Sequence, residues 1–535
     1  MGRLVNWLIL VVLFCVSSLS ADTYYVDDCN GNDYWTGTSP VYVSGSIGPV
    51  KTIRKGLEKV DSGDTIIVAD GLYYDYANLH LTFYNNFITL KSANGPNDCI
   101  LNFYGDDHLW RFNDSVKTLI GGFTIRGIKY SSIKTTEQSI TVIDDCIFQN
   151  NALYSDSSLL TCSEESSLKL NNCFFSDNAV NQGSIVKAYG SASLEVRGCE
   201  ITENISTYDH FIISCIGDCN VIISNTKINE NWNYNGNKIW GILCSDNTNV
   251  KIIDCDVTNN SSENYASGIV CEDAANVIIS GCNISNNFSR KDNYGIYIRN
   301  NDTNVKADNC IISDNNIDSS SDSYGIYAEE CNLLEVTNCL ILNHPEVGID
   351  IRSCLGSAKI KNCTVVNNIN NYNGTGIRSD NYSTSVENCI ITGFGKQLYG
   401  IEIVVSYSDI SDDTDHIWPG VGNINADPLF ADSDGGDYHL LSQAGRWDPA
   451  DEQWVRDGVS SPCIDAGDPA DWIDDEPAGN GGRINMGYFG GTAQASKADF
   501  CTGVMPGDIN RDCLVNFIDF TLMTSDWLSS TIEQP

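Results

Sequence analysis

The residues with the plainest chemistry lie near the C-terminus, in GDINRDCLVNFIDF. Asp508, Asn510, Asp512, Asn516 and Asp519 repeat as D-x-N-x-D-x-x-x-N-x-x-D, and the Leu514 carbonyl falls between them. Hard oxygen donors from alternate residues of a tight loop are what calcium requires, so calcium is the expected cofactor. A second set is more scattered. Asp144, Asp145, Asp254 and Asp256 flank a repeated motif, with Lys227 and Lys251 nearby. Such a group could hold calcium beside a lysine base, or be the solvated outer face of an acidic protein, which is the expectation adopted. Six histidines (His80, His108, His210, His344, His416 and His439) follow no period and form no recognisable triad with Ser or Cys. Catalytic residues therefore cannot be named from the sequence. Tyr294 and Tyr297 recur as Tyr324 and Tyr327 in YGIYI and YGIYA, a pattern suited to stacking on sugar rings, with half of each pair assignable to core packing.

The elements that must position these groups are set by a repeat. Cys146, Cys173, Cys199, Thr226, Cys255, Cys282, Cys310, Cys339, Cys363 and Cys389 are separated by 27, 26, 27, 29, 27, 28, 29, 24 and 26 residues. Asn151, Asn178, Asn204, Asn231, Asn260, Asn287, Asn315 and Asn368 each stand five places later. Gly-Ile pairs begin at Gly241, Gly268, Gly295, Gly325, Gly348, Gly376 and Gly400, and Cys162, Cys215, Cys244 and Cys271 form a further column. A period this regular means stacked repeats. Segments such as NVKIIDC alternate apolar and polar residues, and no repeat contains a helix-length amphipathic stretch, which removes the helical solenoids. The fold class is all-β: a parallel β-helix of about three short strands per coil, with roughly ten coils rising about 4.8 Å each. Buried asparagines at a bend can bond to one another between coils. Free cysteines pack as small hydrophobes, so the ladder is expected to be a reduced thiol stack rather than disulfides or a metal site.

Composition narrows the function. The 535 residues carry Lys+Arg 31 and Asp+Glu 70, a formal net charge of −39. That argues against a nucleic acid partner, which needs a basic stripe. An acidic polysaccharide would need a bridging cation. Arg3, the apolar run Trp7–Val16 and Ser18-Leu19-Ser20 before Ala21 read as a signal peptide over 1–20. No stretch of about 20 apolar residues offers a transmembrane anchor. The chain is expected to be secreted or at the cell surface.

The period and stacking over 120–405 resemble the right-handed parallel β-helix repeat proteins of the pectate-lyase-like superfamily. TYYVDDCNGND, PVKTIRKGLEKVDSGDTIIVADGLYY and ITLKSANGPNDCIL are similar to the entry segment of secreted members. Lys51 to Val60 reads as a short capping helix and Asp64 to Ala69 as the first strand of the stack. NINADPLFADSDGGDYHLLSQAG and SSPCIDAGDPADW resemble the irregular C-terminal closing segment of such proteins, and its carboxylates read as exposed turn residues. The calcium loop, with its ligands at EF-hand positions 1, 3, 5, 7, 9 and 12, resembles a single dockerin repeat. It departs from that pattern in being unpaired, in carrying Cys513 for the usual glycine, and in placing Phe517-Ile518 where a small hydroxyl pair is typical. Phe517, Phe520, Thr524 and Trp527 then fall on one helix face, and Cys501 and Cys513 could staple the module.

The expected organisation is a signal peptide over 1–20, N-terminal cap and first coils over 21–120, and β-helix repeats over 121–405. The closing segment follows over 406–495 and the EF-hand-like (dockerin-like) module over 496–535. The resemblance implies a polysaccharide-directed protein, either a calcium-dependent lyase or a glycoside hydrolase, with polysaccharide and a cohesin or other cell-surface component as partners. The Gly-His-Gly and Arg-Ile-Lys of the hydrolases and the Arg-x-Pro-x-x-Arg of the pectate lyases are absent. The alternative is therefore a non-catalytic glycan-binding or adhesin-like rod.

Overall fold

The computed structural model describes residues 21–498, apart from 85–86, 105–109, 113–114, 131–132, 155–156, 207–209, 235–237, 316–321, 370–373, 382 and 412–415. Beyond 498 it describes 507, 515, 517, 519–521 and 523. The signal peptide therefore lies outside the described residues. So do Asp508, Asn510, Asp512, Leu514 and Asn516 of the calcium loop, and Cys501 and Cys513.

One coil shows how the repeat folds. Asn249–Ile253 runs in a first sheet, Asp256–Thr258 in a second direction, Ser261–Ser262 in a short link, and Tyr265–Glu272 returns along a third face. Every strand pairs in parallel with its copy one coil away, in unbroken chain order. The three faces hold 15, 14 and 11 strands, called here the entry, middle and return sheets, so the stack extends beyond the periodic ladder at both ends. At about 4.8 Å per rung the entry sheet spans roughly 70 Å. Thr23–Val26, paired with Thr65–Val68, is the first rung, so the stack starts one strand earlier than Asp64–Ala69. A helix over Ile53–Leu57 lies inside the expected Lys51–Val60 span and buries Ile53 and Leu57 in the core.

Left-handed residues recur at the turns of the coils, at two positions around the ladder and again after the return strand, as at Asp273 (φ 54°) and Ala274 (φ 65°). Asp145, Asn172, Asn225, Asp254, Asn309, Asn338, Asn362 and Asn388 have φ between 45° and 54° just before the ladder position. Asn150, Asp177, Glu203, Glu230, Asn259, Asn286 and Asp314 adopt φ of 52–55° just before the buried asparagines. Asn and Asp tolerate this conformation best, which explains the repeated N-C and N-N signatures.

The asparagines form the expected ladder. Each Nδ2 donates to the next Oδ1 at 2.8–3.0 Å, from Asn151 through Asn178, Asn204, Asn231, Asn260 and Asn287 to Asn315. Asn368 does not join it: it is exposed and donates to Tyr438 Oη at 2.7 Å, in the closing segment. The ladder cysteines are buried free thiols, and burial pushes Cys146 up to about 12. Cys215, Cys244 and Cys271 stack in register on the return sheet. A disulfide joins Cys331 to Cys354 on adjacent coils, outside both columns.

The glycine column has a steric cause. A Cβ on Gly295 would lie 2.6 Å from the Gly325 carbonyl and 2.4 Å from Ile312 Cγ2. Gly400 is not part of this column, because it pairs with Ser379 while Gln397 occupies the rung above Gly376. The closing segment lies along the flank of the rod. Tyr438, Phe430, Tyr488 and Phe489 pack on the outward Leu340, Leu342 and Val366 of the middle sheet. Lys361 Nζ bonds both Glu387 (2.6 Å) and Asp471 (2.5 Å), tying the segment down.

Candidate functional site

The return sheet carries the longest strands and the densest outward chemistry. Its inward residues, such as Ile296, Ile298, Ile326 and Ala328, belong to the main core. Its outward residues build separate clusters. One outward column runs Phe211, Trp240, Ser267, Tyr294, Tyr324, Val347. The next runs Leu243, Val270, Tyr297, Tyr327, Asp350, Arg378. A third alternates in sign: Glu272, Arg299, Glu329, Arg352.

These columns bring four tyrosines together. Tyr294 stacks on Tyr297 at 4.6 Å and on Tyr324 at 5.3 Å, and Tyr327 meets Tyr297 edge-on at 5.5 Å. None of the four lies in the rod's main core, contrary to the expectation that half of them would. Tyr324 and Tyr327 are nonetheless covered, at 6% and 8% exposure, and Tyr294 and Tyr297 are half-buried. Burial, then the nearby Asp322 carboxylate, raises the Tyr324 phenol to about 12. The rings carry cations on their faces: Arg299 lies 5.6 Å from the Tyr297 centroid and Arg352 lies 5.2 Å from that of Tyr327.

Beside the tyrosines, Asp350 is fully buried between two guanidiniums. Arg378 Nε donates to Oδ1 at 2.9 Å and Nη2 to Oδ2 at 2.6 Å, a bidentate pair, while Arg352 Nε donates to Oδ2 at 2.9 Å. The hydrogen bond to Asp350 raises Arg378 well above the usual arginine range. This clamp was not found from the sequence. Asp350 and Arg378 are 28 residues apart, one period, but they share a column by complementing each other rather than by recurring.

The structure does not assemble the Asp/Lys set. Asp256 and Lys227 are neighbours on the middle sheet, with Glu200 on the far side of Lys227. Lys251 faces out from the entry sheet between Ile222 and Ile278. Asp144 lies four rungs before Ile253 in the entry sheet. Among the described residues no three His, Cys, Asp or Glu side chains converge on a metal-sized space. No described helix is long and apolar enough to cross a membrane.

Comparison with known proteins supports the architecture. Residues 182–307 and 240–415 match the family model of the right-handed β-helix region, and 401–467 match one described as disaggregatase related. No curated protein matches the chain. Among solved structures, pectate lyase Pel9A is similar at 15% identity, covering 88% of this chain and 97% of that one, with a TM-score of 0.35. A periplasmic alginate epimerase is similar at 13% identity over 66% of this chain and 83% of that one, TM-score 0.37. A rhamnogalacturonan lyase gives 14% identity over 83% and 97%, TM-score 0.31.

Proposed function

We propose that this chain is an exported, polysaccharide-directed β-helix protein whose glycan lies along the outer face of the return sheet. One observation carries the proposal: the outward cluster of Tyr294, Tyr297, Tyr324 and Tyr327, with Arg299 and Arg352 over its rings. Flat rings offer a stacking surface to the apolar face of a sugar, and guanidiniums at the margin bond hydroxyls or a uronate carboxylate. Lyase chemistry on an acidic glycan would use those guanidiniums to neutralise the carboxylate beside the proton that is removed.

A second reading is a non-catalytic glycan-holding rod. It is favoured by Asp350, the fully buried carboxylate of this face, whose two oxygens are already taken by Arg352 and Arg378. The tail belongs to the same proposal. Calcium held by Asp508, Asn510, Asp512, Leu514, Asn516 and Asp519 would order a module that attaches the rod to a cohesin or another surface component. Asp519, the ligand candidate that is described, is buried, as a group turned into such a loop would be.

The test is a screen of the mature protein on uronate-containing and neutral polysaccharides, with calcium and with a chelator. Unsaturated uronide or new reducing ends would establish the enzyme. Retention on a glycan column without product would establish the rod. Neither product nor retention, from folded protein, would overturn the proposal.

A further inference from the structure

A second concave surface opens at the N-terminal end of the return face. Thr82–Phe83 and Arg111–Phe112 pair in parallel, and Arg111–Phe112 lies against Ile133–Thr135, the first strand of the return sheet. Phe83 and Phe112 stack in the core at 4.9 Å. Thr82 and Arg111, which alternate with them, therefore face outward. With Arg54, Tyr76, His80 and Tyr84 they line a hollow of about 460 Å³.

Cations enter this hollow from two elements. Arg54 comes from the helix Ile53–Leu57, and its Nη2 donates to the carbonyls of His80 at 3.0 Å and Tyr76 at 3.3 Å. Its guanidinium lies 4.6 Å from the Tyr76 ring centroid, and Tyr76 stacks on His80 at 4.3 Å. The guanidinium is thus fixed before any ligand arrives, and among the described residues nothing takes its Nε or Nη1. Arg111 enters from the strand, exposed and with no carboxylate partner among the described residues. Glu58, the carboxylate of the lining, already sits 2.7 Å from Lys55 Nζ. Two guanidiniums against one paired carboxylate make the hollow positive, in a chain of net charge −39. Such a cleft concentrates anions.

We infer that this hollow is a second sugar site, which takes an anionic sugar: its carboxylate or sulfate ester against Arg54 and Arg111, its ring against Tyr84. Guanidiniums bind such oxyanions through paired N–H donors. Tyr84, 68% exposed, offers the flat apolar surface that a sugar ring covers, and Thr82 adds a hydroxyl. Tyr294 lies seven coils farther along the same face, roughly 35 Å away at about 4.8 Å per rung. The inference rests on the glycan proposal for the source of the sugar, but none of its residues belongs to the tyrosine cluster, so the two can fail separately.

The test titrates the full chain with galacturonate, a sulfated galactose, galactose and inorganic sulfate, following line broadening of the sugar resonances and competition by the inorganic ion. We expect at least one anionic sugar to bind and galactose not to. Galacturonate alone would mark a uronate as the ligand, and the sulfated galactose alone a sulfate ester. Arg111→Gln, at an exposed position, should weaken binding about tenfold, and Arg111→Lys, which keeps the charge, less. Tyr294→Ala/Tyr297→Ala should leave it unchanged. Folded protein that binds neither anionic sugar, or binds them equally well as Arg111→Gln, would overturn the inference. So would inorganic sulfate that binds as tightly as either sugar, which would leave an ion site only. Binding lost in Tyr294→Ala/Tyr297→Ala but kept in Arg111→Gln would also overturn it, and leave the return-sheet proposal standing.

Discussion

Asn315 Nδ2 faces Nε2 of the buried His344 at 3.4 Å, and there the asparagine ladder ends. The imidazole takes the place of the next asparagine, and burial lowers its pKa to about 3. The folded state thus refuses a proton that the unfolded chain accepts near pH 6.5. Stability from this site is complete above about 6.5 and is lost as pH falls toward 3, by a few kcal/mol across the window. His344→Asn should flatten that acid limb of the stability curve, measured by urea unfolding at pH 7, 5 and 4. An unchanged slope would remove His344 from the account.

Interior rungs of the ladder should matter more than a single hydrogen bond suggests. Asn231 Nδ2 donates to Ile201 O, Asn229 O and Asn260 Oδ1, and its own Oδ1 accepts from Asn204. Asn231→Ala strands buried partners on both neighbouring coils and should cost about 2–4 kcal/mol. Denaturant titration checks this, with the exposed Asn368→Ala expected to cost far less.

The thiol stack should be inert while folded. Of the free cysteines described, Cys29 alone is exposed. Burial raises Cys99 and Cys146 to about 12, so little reactive thiolate exists at neutral pH. Alkylation of native protein followed by peptide mass mapping should label Cys29 and spare Cys146, Cys282 and Cys389. Rapid labelling of those ladder positions would contradict the packing described.

Glycine inside the return-sheet strands is sterically obligatory. Gly295→Ala forces a methyl against the Gly325 carbonyl and should destabilise by several kcal/mol. Gly190→Ala, at φ 67° with open space around it, should cost about 1 kcal/mol from backbone conformation alone. Thermal melts of the two variants separate steric from conformational cost.

What was legible in the sequence followed from identity repeating in register. Cys282, Cys310 and Cys339, like Asn260 and Asn287, recur because each stacks on its own kind. Asn368 and Gly400 carry the right residue at nearly the right spacing but fall where the closing segment or a changed strand end takes over. Tyr294 and Tyr324 were visible as a pair, while their outward orientation depends on the irregular step at Gly295 and Gly325. Asp350 and Arg378 were invisible because complementary charges leave no repeating letter. Glu476, buried where an exposed turn residue was expected, was hidden for another reason: its burial comes from Asn485 and Gly491, in a segment with no period at all.

The most direct measurement of the central claim is glycan binding by the Tyr294→Ala/Tyr297→Ala variant beside the unaltered protein. Affinity electrophoresis through the polysaccharide that the unaltered protein retains is suitable, with far-ultraviolet circular dichroism to establish that the rod is intact. Both rings are half-buried on the outer face and outside the main core, so the fold should survive their loss. The account predicts at least a tenfold loss of affinity, about 1.4 kcal/mol. Undiminished binding by a folded double variant would contradict it and move the glycan off the return sheet.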